Sequence, residues 1–378
     1  MVQNLKCYRV TMRTLGPVFV GSGREIGKKE YVFLSRGKVG IPDIKNLYEE
    51  MRRRGIGNLF EDYLLGEDKS SLDKWMAKQK IKVAEIGSAI RYTIDCGDKI
   101  IETGKTLQVM ECIKDPYGKP YIPGSSLKGM FRTILLGADL LHSPQKYQDV
   151  KQELLQSVER KERKTKYLKR DIAELEAVAY RILRKDPKHP KDAVNDVLQG
   201  FVVSDSEPLS EEDLVLCQKV DLHTRGKEKA ISILRECIKP DTKITFTITV
   251  DAKVCPLTEE KILGAVKDFI GSYYKNFSSA FPGIRVPGEK EVFLGGGCGF
   301  VTKTVLYPLL GKRLGMETTQ KVFKNTGVQD KHKHAYDKEY GASPHTLKCT
   351  RYNGKNYQMG RCRIEQLECI GEGFARYR

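Results

Sequence analysis

The stretch Tyr121-Ile-Pro-Gly-Ser-Ser-Leu-Lys-Gly-Met-Phe-Arg132 sets small polar residues and backbone amides at the start of a helix. Pro123 and Gly124 turn the chain, Ser125 or Ser126 is placed to cap the helix, and N-terminal N–H groups without intrahelical partners attract anions. Lys128 and Arg132 are four residues apart and share a helical face. The same stretch also suits an ordinary capped helix that packs Leu127, Met130, Phe131, Ile134 and Leu135 into a core. The choice between the two rests on the rest of the chain.

Immediately upstream, residues 106–114 read as a strand that turns through Asp115-Pro-Tyr-Gly118 into Pro120-Tyr-Ile122, so a hairpin feeds the helix. Apolar and polar positions alternate over 5–20, as in a half-buried strand, up to the glycines of Gly21-Ser-Gly23. A second hairpin, 31–34 and 38–41, flanks the turn Ser35-Arg-Gly37, and Pro42-Asp43 opens a basic helix over 44–54. Another strand covers 89–95.

Between 145 and 185 the composition turns to dense Lys, Arg and Glu with sparse apolar positions, which predicts a helical insertion on the surface. Asp186-Pro-Lys-His-Pro190 ends it, because proline cannot continue a helix. Strands follow at 201–204, 215–222, 231–238 and 244–250, then a helix over 258–277 capped by Thr258. A strand pair at 346–352 and 357–364 turns at Asn353-Gly354. The class is α+β, and the order strand, helix, strands, helix, strand is that of a ferredoxin-like sandwich, also the architecture of RNA-recognition domains. The expected organisation is an N-terminal part (1–144), a charged helical insertion (145–199) and a C-terminal part (200–378) with a glycine-rich loop and additional β elements.

Lys and Arg number 66 against 49 Asp and Glu, a net charge of +17. That surplus favours a polyanionic partner, although a generally basic enzyme shares it. No apolar run reaches the roughly 18 residues of a spanning helix, and residues 1–8 lack the apolar region of a signal peptide, so a cytoplasmic protein without membrane contact is expected. The ten cysteines are scattered, with no CxxC spacing, and read as reduced, mostly small core residues.

Two glycine stretches stand out. Gly21-Ser-Gly-Arg-Glu-Ile-Gly-Lys28 fails the P-loop pattern, since Lys29 stands where Ser or Thr must hold magnesium. It reads as a flexible loop whose amides, with Arg24 and Lys28, approach a sugar-phosphate backbone, or as a plain turn. Gly295-Gly-Gly-Cys-Gly299 is not a dinucleotide fingerprint, because Phe300 replaces a required glycine. Four such glycines each cost about 0.5–1 kcal/mol relative to alanine. They are therefore expected to admit a ligand closely, with Lys303 positioned to meet phosphate. His332, His334 and His345 stand near Asp330, Asp337 and Glu339, but the segment is polar, lysine-flanked and without metal-type helical spacing, so solvated loop or interface contacts are expected there. His142, at the end of an apolar helix, reads as structural.

Taken together, Ile122 to Arg132 and Gly295 to Gly299 closely resemble the two signatures of the RAMP superfamily of CRISPR-associated RNA-binding proteins. Gly16-Pro-Val-Phe-Val-Gly-Ser-Gly23, Arg235-Glu-Cys-Ile-Lys-Pro240, Ser343-Pro-His-Thr-Leu-Lys348 and Gln358-Met-Gly360 resemble the family of fifth subunits of type III-A (Csm) effector complexes. The resemblance implies a non-catalytic subunit without cofactor or metal. It would cap the 3′ side of the CRISPR RNA (crRNA), beside the repeating backbone RAMP subunit and the small helical subunit. It would support 3′-end maturation by separate host nucleases and reach target RNA only through the guide. Carried over by motif, the RNA contacts would be Gly21, Ser22, Gly23, Arg24, Ser125, Ser126, Lys128, Arg132, Gly295, Gly296, Gly297, Gly299 and Lys303. The rival reading is a RAMP endoribonuclease that cuts CRISPR precursor RNA, with His142 and His345 as its candidate bases; a third is a purely protein-bridging subunit.

Overall fold

The computed structural model describes residues 4–34, 37–101, 103, 107–160, 168–328 and 332–373. Ser35 and Arg36 of the expected turn, Thr106 of the expected strand, 161–167 of the insertion and Asp330 lie outside the described residues. In chain order the strands are β1 (Leu5–Thr14), β2 (Gly21–Ile26), β3 (Val32–Leu34), β4 (Lys38–Pro42), β5 (Ile90–Asp95), β6 (Gln108–Cys112), β7 (Phe201–Val203), β8 (Leu214–His223), β9 (Glu228–Ile238), β10 (Lys243–Asp251), β11 (Glu291–Phe293), β12 (Thr346–Tyr352), β13 (Lys355–Gln358) and β14 (Arg361–Gly373). The principal helices are α1 (Ile44–Arg53), α2 (Gly57–Leu65), α3 (Leu72–Lys78), α4 (Gly124–His142), α5 (Gln148–Glu159), α6 (Lys169–Tyr180), α7 (Glu259–Asn276) and α8 (Leu306–Asn325).

One antiparallel sheet has the order β11-β14-β1-β10-β7. Its four strands β14-β1-β10-β7, with α4 after β1 and α7 after β10, have the ferredoxin-like β-α-β-β-α-β order. The period-two pattern of β10 buries Ile244, Phe246, Ile248 and Val250, and β1 buries Val10 and Met12 beside them. Leu127 and Phe131 of α4 and Ile262, Val266 and Phe269 of α7 close the same core. Thr258 caps α7 by accepting from the Lys261 N–H at 3.3 Å.

The second sheet, β13-β12-β8-β9-β6-β2, lies entirely in connections of the first. β2 and β6 fall between β1 and α4, β8 and β9 between β7 and β10, and β12 and β13 between α8 and β14. Both sheets therefore combine strands from 1–144 and 200–378, and the insertion adds Tyr147, Leu154, Val158, Leu168 and Leu175 to the same core. A third sheet, β3-β4-β5, carries α1 to α3 on a separate core built around Phe60, Tyr63 and Trp75.

Three expectations change. β1 stops at Thr14, and 21–26 is an edge strand paired with β6 in place of a flexible loop. The strand expected over 357–364 is broken, because the chain leaves the second sheet at Met359-Gly360 and enters the first at Arg361. Its crossing runs beside two others: Gly360 N–H donates to Pro17 O at 2.9 Å, Leu294 N–H to Gly360 O at 2.8 Å, and Gly296 N–H to Phe19 O at 2.6 Å.

Gly360 has φ +75°, and a Cβ there would sit 2.2 Å from Cys298 Sγ and 2.4 Å from Leu294 O. Gly360→Ala is expected to cost about 2–4 kcal/mol through strain and overpacking. A lower denaturant midpoint with an unchanged m-value would register it.

Candidate nucleic-acid interface

On β8, Val215, Cys217, Lys219 and Asp221 fall on one face of the strand by alternation, and the register sets Cys217 opposite Arg235 and Asp221 opposite Lys348. Phe19, Val215, Cys217, Cys237 and Met359 make a small core on that face. Lys219, Arg235 and Lys348 extend it as cations, and the two lysines share one carboxylate. Asp221 Oδ1 lies 3.0 Å from Lys348 Nζ and 3.9 Å from Lys219 Nζ, with the two lysine side chains 24% and 20% exposed. Burial, aided by Lys348 and Arg235 and opposed by Asp221, lowers the pKa of the Lys219 ammonium. Arg235 stands with its guanidinium 5.6 Å from the centroid of the Phe19 ring, and its Nη1 is buried without a hydrogen-bond partner. A buried donor left unpaired is costly, and a surplus of half-buried cations is an anion site in waiting.

The glycine loop lies over these cations. Gly295, Gly297 and Gly299 have φ of +82°, +78° and +101°, a backbone that other residues rarely adopt. A Cβ on Gly295 would stand 2.3 Å from Phe19 O, and one on Gly297 would stand 3.0 Å from the Arg235 guanidinium. The close approach that the sequence suggested for a ligand is thus made to the protein's own backbone and cations. Among the described residues the N–H groups of Gly297 and Gly299 have no protein acceptor, so the loop still offers amides to an anion. Lys303 is exposed just beyond it, with no carboxylate paired to it among the described residues.

Phe19 also joins the other glycine stretch to this face. A Cβ on Gly21 would meet Phe19 Cζ at 2.8 Å, and the exposed edge strand β2 continues from there. Its polar groups are partly engaged: Ser22 Oγ donates to Glu111 at 3.1 Å, and Arg24 donates to Glu30 at 2.9 Å. Beside them is a groove of about 600 Å³ lined in part by Arg24, Arg91, Tyr92, Lys114 and Tyr117.

The third stretch behaves differently. Pro123 occupies the cap position of α4, and neither Ser125 nor Ser126 caps the helix. The Gly124 N–H donates to Asp205 Oδ1 at 2.8 Å, so the anion at this helix start is the protein's own carboxylate. Gly124 is required by packing, since a Cβ would lie 2.3 Å from Val203 O. Lys128 donates to Leu198 O at 2.8 Å, and burial lowers its pKa. Arg132 pairs with Asp196 at 2.8 Å and Glu176 at 2.9 Å and covers the Tyr180 ring, its guanidinium 4.6 Å from the centroid. Both cations hold the insertion onto α4.

Sequence reading missed Lys219, Arg235 and Lys348 as site residues, although Arg235 and Lys348 fall in stretches quoted for the family resemblance. The available signal was a cation on the apolar parity of a strand, as Lys219 stands after Val215 and Cys217. His142 is at the surface and contacts Asp268 Oδ2 through Nε2 at 2.6 Å. His334 and His345 are buried against Asp337 instead of standing in a solvated loop, whereas His332 is exposed.

Fold and site define a member of the RAMP superfamily, and the model of that superfamily matches residues 11–301. CRISPR system Cms protein Csm5 of Mycobacterium tuberculosis (strain ATCC 25618 / H37Rv) is 30% identical, over 95% of this chain and 97% of its own length. The Csm5 of Streptococcus thermophilus is 26% identical over 81% and 82%. The chain belongs, within the superfamily, to the Csm5 family. A chain in a cryo-EM structure of a type III-A Csm-crRNA-target RNA ternary complex superposes with TM-score 0.60 at 18% identity, covering 95% of this chain and all (100%) of that one. The crystal structure of T. onnurineus Csm5 gives 0.56 at 17%, covering 94% and 100%. Both share the fold.

Arg132→Ala strands two carboxylates on the insertion side and is expected to destabilise the protein by about 2 kcal/mol, between the values typical of exposed and buried pairs. Lys303→Ala should stay within about 0.5 kcal/mol of the parent. Thermal and urea unfolding of the two variants separate a structural cation from a free one.

Proposed function

We propose that the chain is a structural, crRNA-binding subunit of a type III-A Csm complex. It would sit at the 3′ side of the crRNA and support maturation of the 3′ end by separate nucleases. The carrying observation is the set of half-buried cations Lys219, Arg235 and Lys348 under the glycine loop, with one carboxylate among them. Such a site binds phosphate wherever the backbone passes and leaves sequence to be read by the guide. Gly295, Gly296, Gly297, Gly299 and Lys303 would line it, and Gly21, Ser22, Gly23 and Arg24 would extend it along the edge strand. The partners that follow are crRNA, the repeating RAMP subunit and the small helical subunit, with target RNA reached through the guide. The relatives' names and the ternary complex in which a similar chain sits support those partners. Lys128 and Arg132 are engaged by the insertion, and Ser125 and Ser126 would remain secondary RNA contacts.

The test is equilibrium binding of a crRNA to the purified chain at two salt concentrations. Lys219→Ala with Lys348→Ala should weaken binding about tenfold or more and flatten the salt slope by about 0.7 for each phosphate of the single strand that is no longer neutralised. A folded double variant that binds as the parent does would take RNA off this face. The parent should also leave CRISPR precursor RNA intact; cleavage that His345→Ala abolishes would favour the endoribonuclease.

A further inference from the structure

Between α8 and β12 the chain forms the short helical turns His334–Tyr336 and Asp337–Tyr340. It buries a compact donor set there. His334, Asp337 and His345 are 4%, 0% and 6% exposed. His334 Nδ1 lies 3.1 Å from both carboxylate oxygens of Asp337, and His345 Nδ1 lies 2.5 Å from Oδ1. Two imidazole nitrogens and a carboxylate oxygen thus stand within 4.8 Å of one another. Ser343 Oγ donates to the Asp337 Oδ2 at 2.5 Å, and the Tyr307 hydroxyl donates to Ser343 O at 2.7 Å, so the carboxylate is oriented from behind. The walls are aromatic: the Phe323 ring centroid is 4.4 Å from that of His334, and Tyr340 is 5.1 Å from His345.

Asp337 is a fully buried anion, and among the described residues no Lys or Arg pairs with it; its partners are the two imidazoles and the hydroxyl. We propose that His334, Asp337 and His345 bind one late first-row divalent cation, with Zn²⁺ as the representative ion. Two nitrogens and one carboxylate suit such an ion and not Mg²⁺ or Ca²⁺, which take oxygen donors. The present separations are those of hydrogen bonds. Around Zn²⁺, with N and O ligands at about 2.0–2.1 Å, tetrahedral neighbours stand about 3.3 Å apart, so the side chains need move by less than about 1 Å. Each neutral ring then carries its proton on Nε2, and Nδ1 presents its lone pair to the ion. The ion would tie the turns that carry His334 and Asp337 to His345, three residues before Lys348. The proposal stands apart from the RNA reading, since metal is its readout.

The experiment strips the full-length protein with a chelator and titrates it with Co²⁺ and then Zn²⁺. The expected result is about one Co²⁺ per chain, with the visible bands of a tetrahedral site and no thiolate charge-transfer band, displaced by Zn²⁺ and accompanied by a higher melting temperature. His345→Gln and Asp337→Asn should lose that site. His189→Ala, in the exposed group Asp186, His189 and Asp192, should keep it. No tetrahedral spectrum in the parent, no Zn²⁺-dependent rise in melting temperature, or a site that survives in His345→Gln and disappears in His189→Ala would each overturn the proposal. Should the cluster variants fail to fold, the parent's Co²⁺ spectrum and Zn²⁺-dependent melting decide it.

Discussion

Everything in this protein depends on three chain crossings that fit side by side only because two of them carry glycine where they touch. Residues 14–20 pass from β1 to β2, residues 359–360 from β13 to β14, and residues 294–296 leave β11 between them. Gly295 and Gly360 sit in left-handed backbone with carbonyl oxygens 2.3 and 2.4 Å from where a Cβ would be. No other residue permits that spacing. The contact fastens the second sheet to the ferredoxin-like sheet and lays the glycine loop across Arg235 at the same stroke. A constraint that looks like ligand recognition in the sequence is first a constraint of assembly, and the proposed anion site follows from it.

The excess of positive charge divides into two populations with different physics. Some cations are fasteners: Glu291, 1% exposed, takes Arg285 at 2.7 Å and Arg361 through its Nε at 2.6 Å, and buried Glu236 takes Lys114 and the Tyr92 hydroxyl, each at 2.5 Å. Arg132 belongs with them. Such pairs offset one another's desolvation and leave little field outside. Among the described residues Lys219 and Lys348 have one carboxylate, Asp221, between them while Arg235 has none, and low-dielectric walls strengthen what remains. The formal charge of +17 therefore overstates the uncompensated charge in one place and conceals it in another.

Much of the architecture was legible because local rules and tertiary context agree. Ile244 to Val250 alternates and is a strand; Thr258 caps the helix that its position announces. The failures have identifiable causes. The strand expected over 357–364 has a continuous pattern, but Gly360 redirects it into another sheet. The seven-residue α3 and the nine-residue α2 are too short to show a full helical period and are held by their contacts with Tyr63 and Trp75. The polar, lysine-flanked run buries His334 and His345 because Asp337 supplies their hydrogen bonds, and a linear pattern does not display a partner's burial.

By itself the sequence determined the α+β class, the βαββαβ order of the first sheet, the family resemblance and the two glycine stretches that meet at Phe19. Each is a matter of periodicity, turn chemistry or a contiguous motif, and these are written along the chain. Only the tertiary structure decided the fate of individual charges. Lys128 and Arg132 face partners 44 to 70 residues away on the insertion, while Lys219, Arg235 and Lys348 come from three strands that register alone brings together. Whether a cation is spent inside the protein or left for an anion depends on which carboxylate lies within a few ångströms, and that distance is fixed by packing.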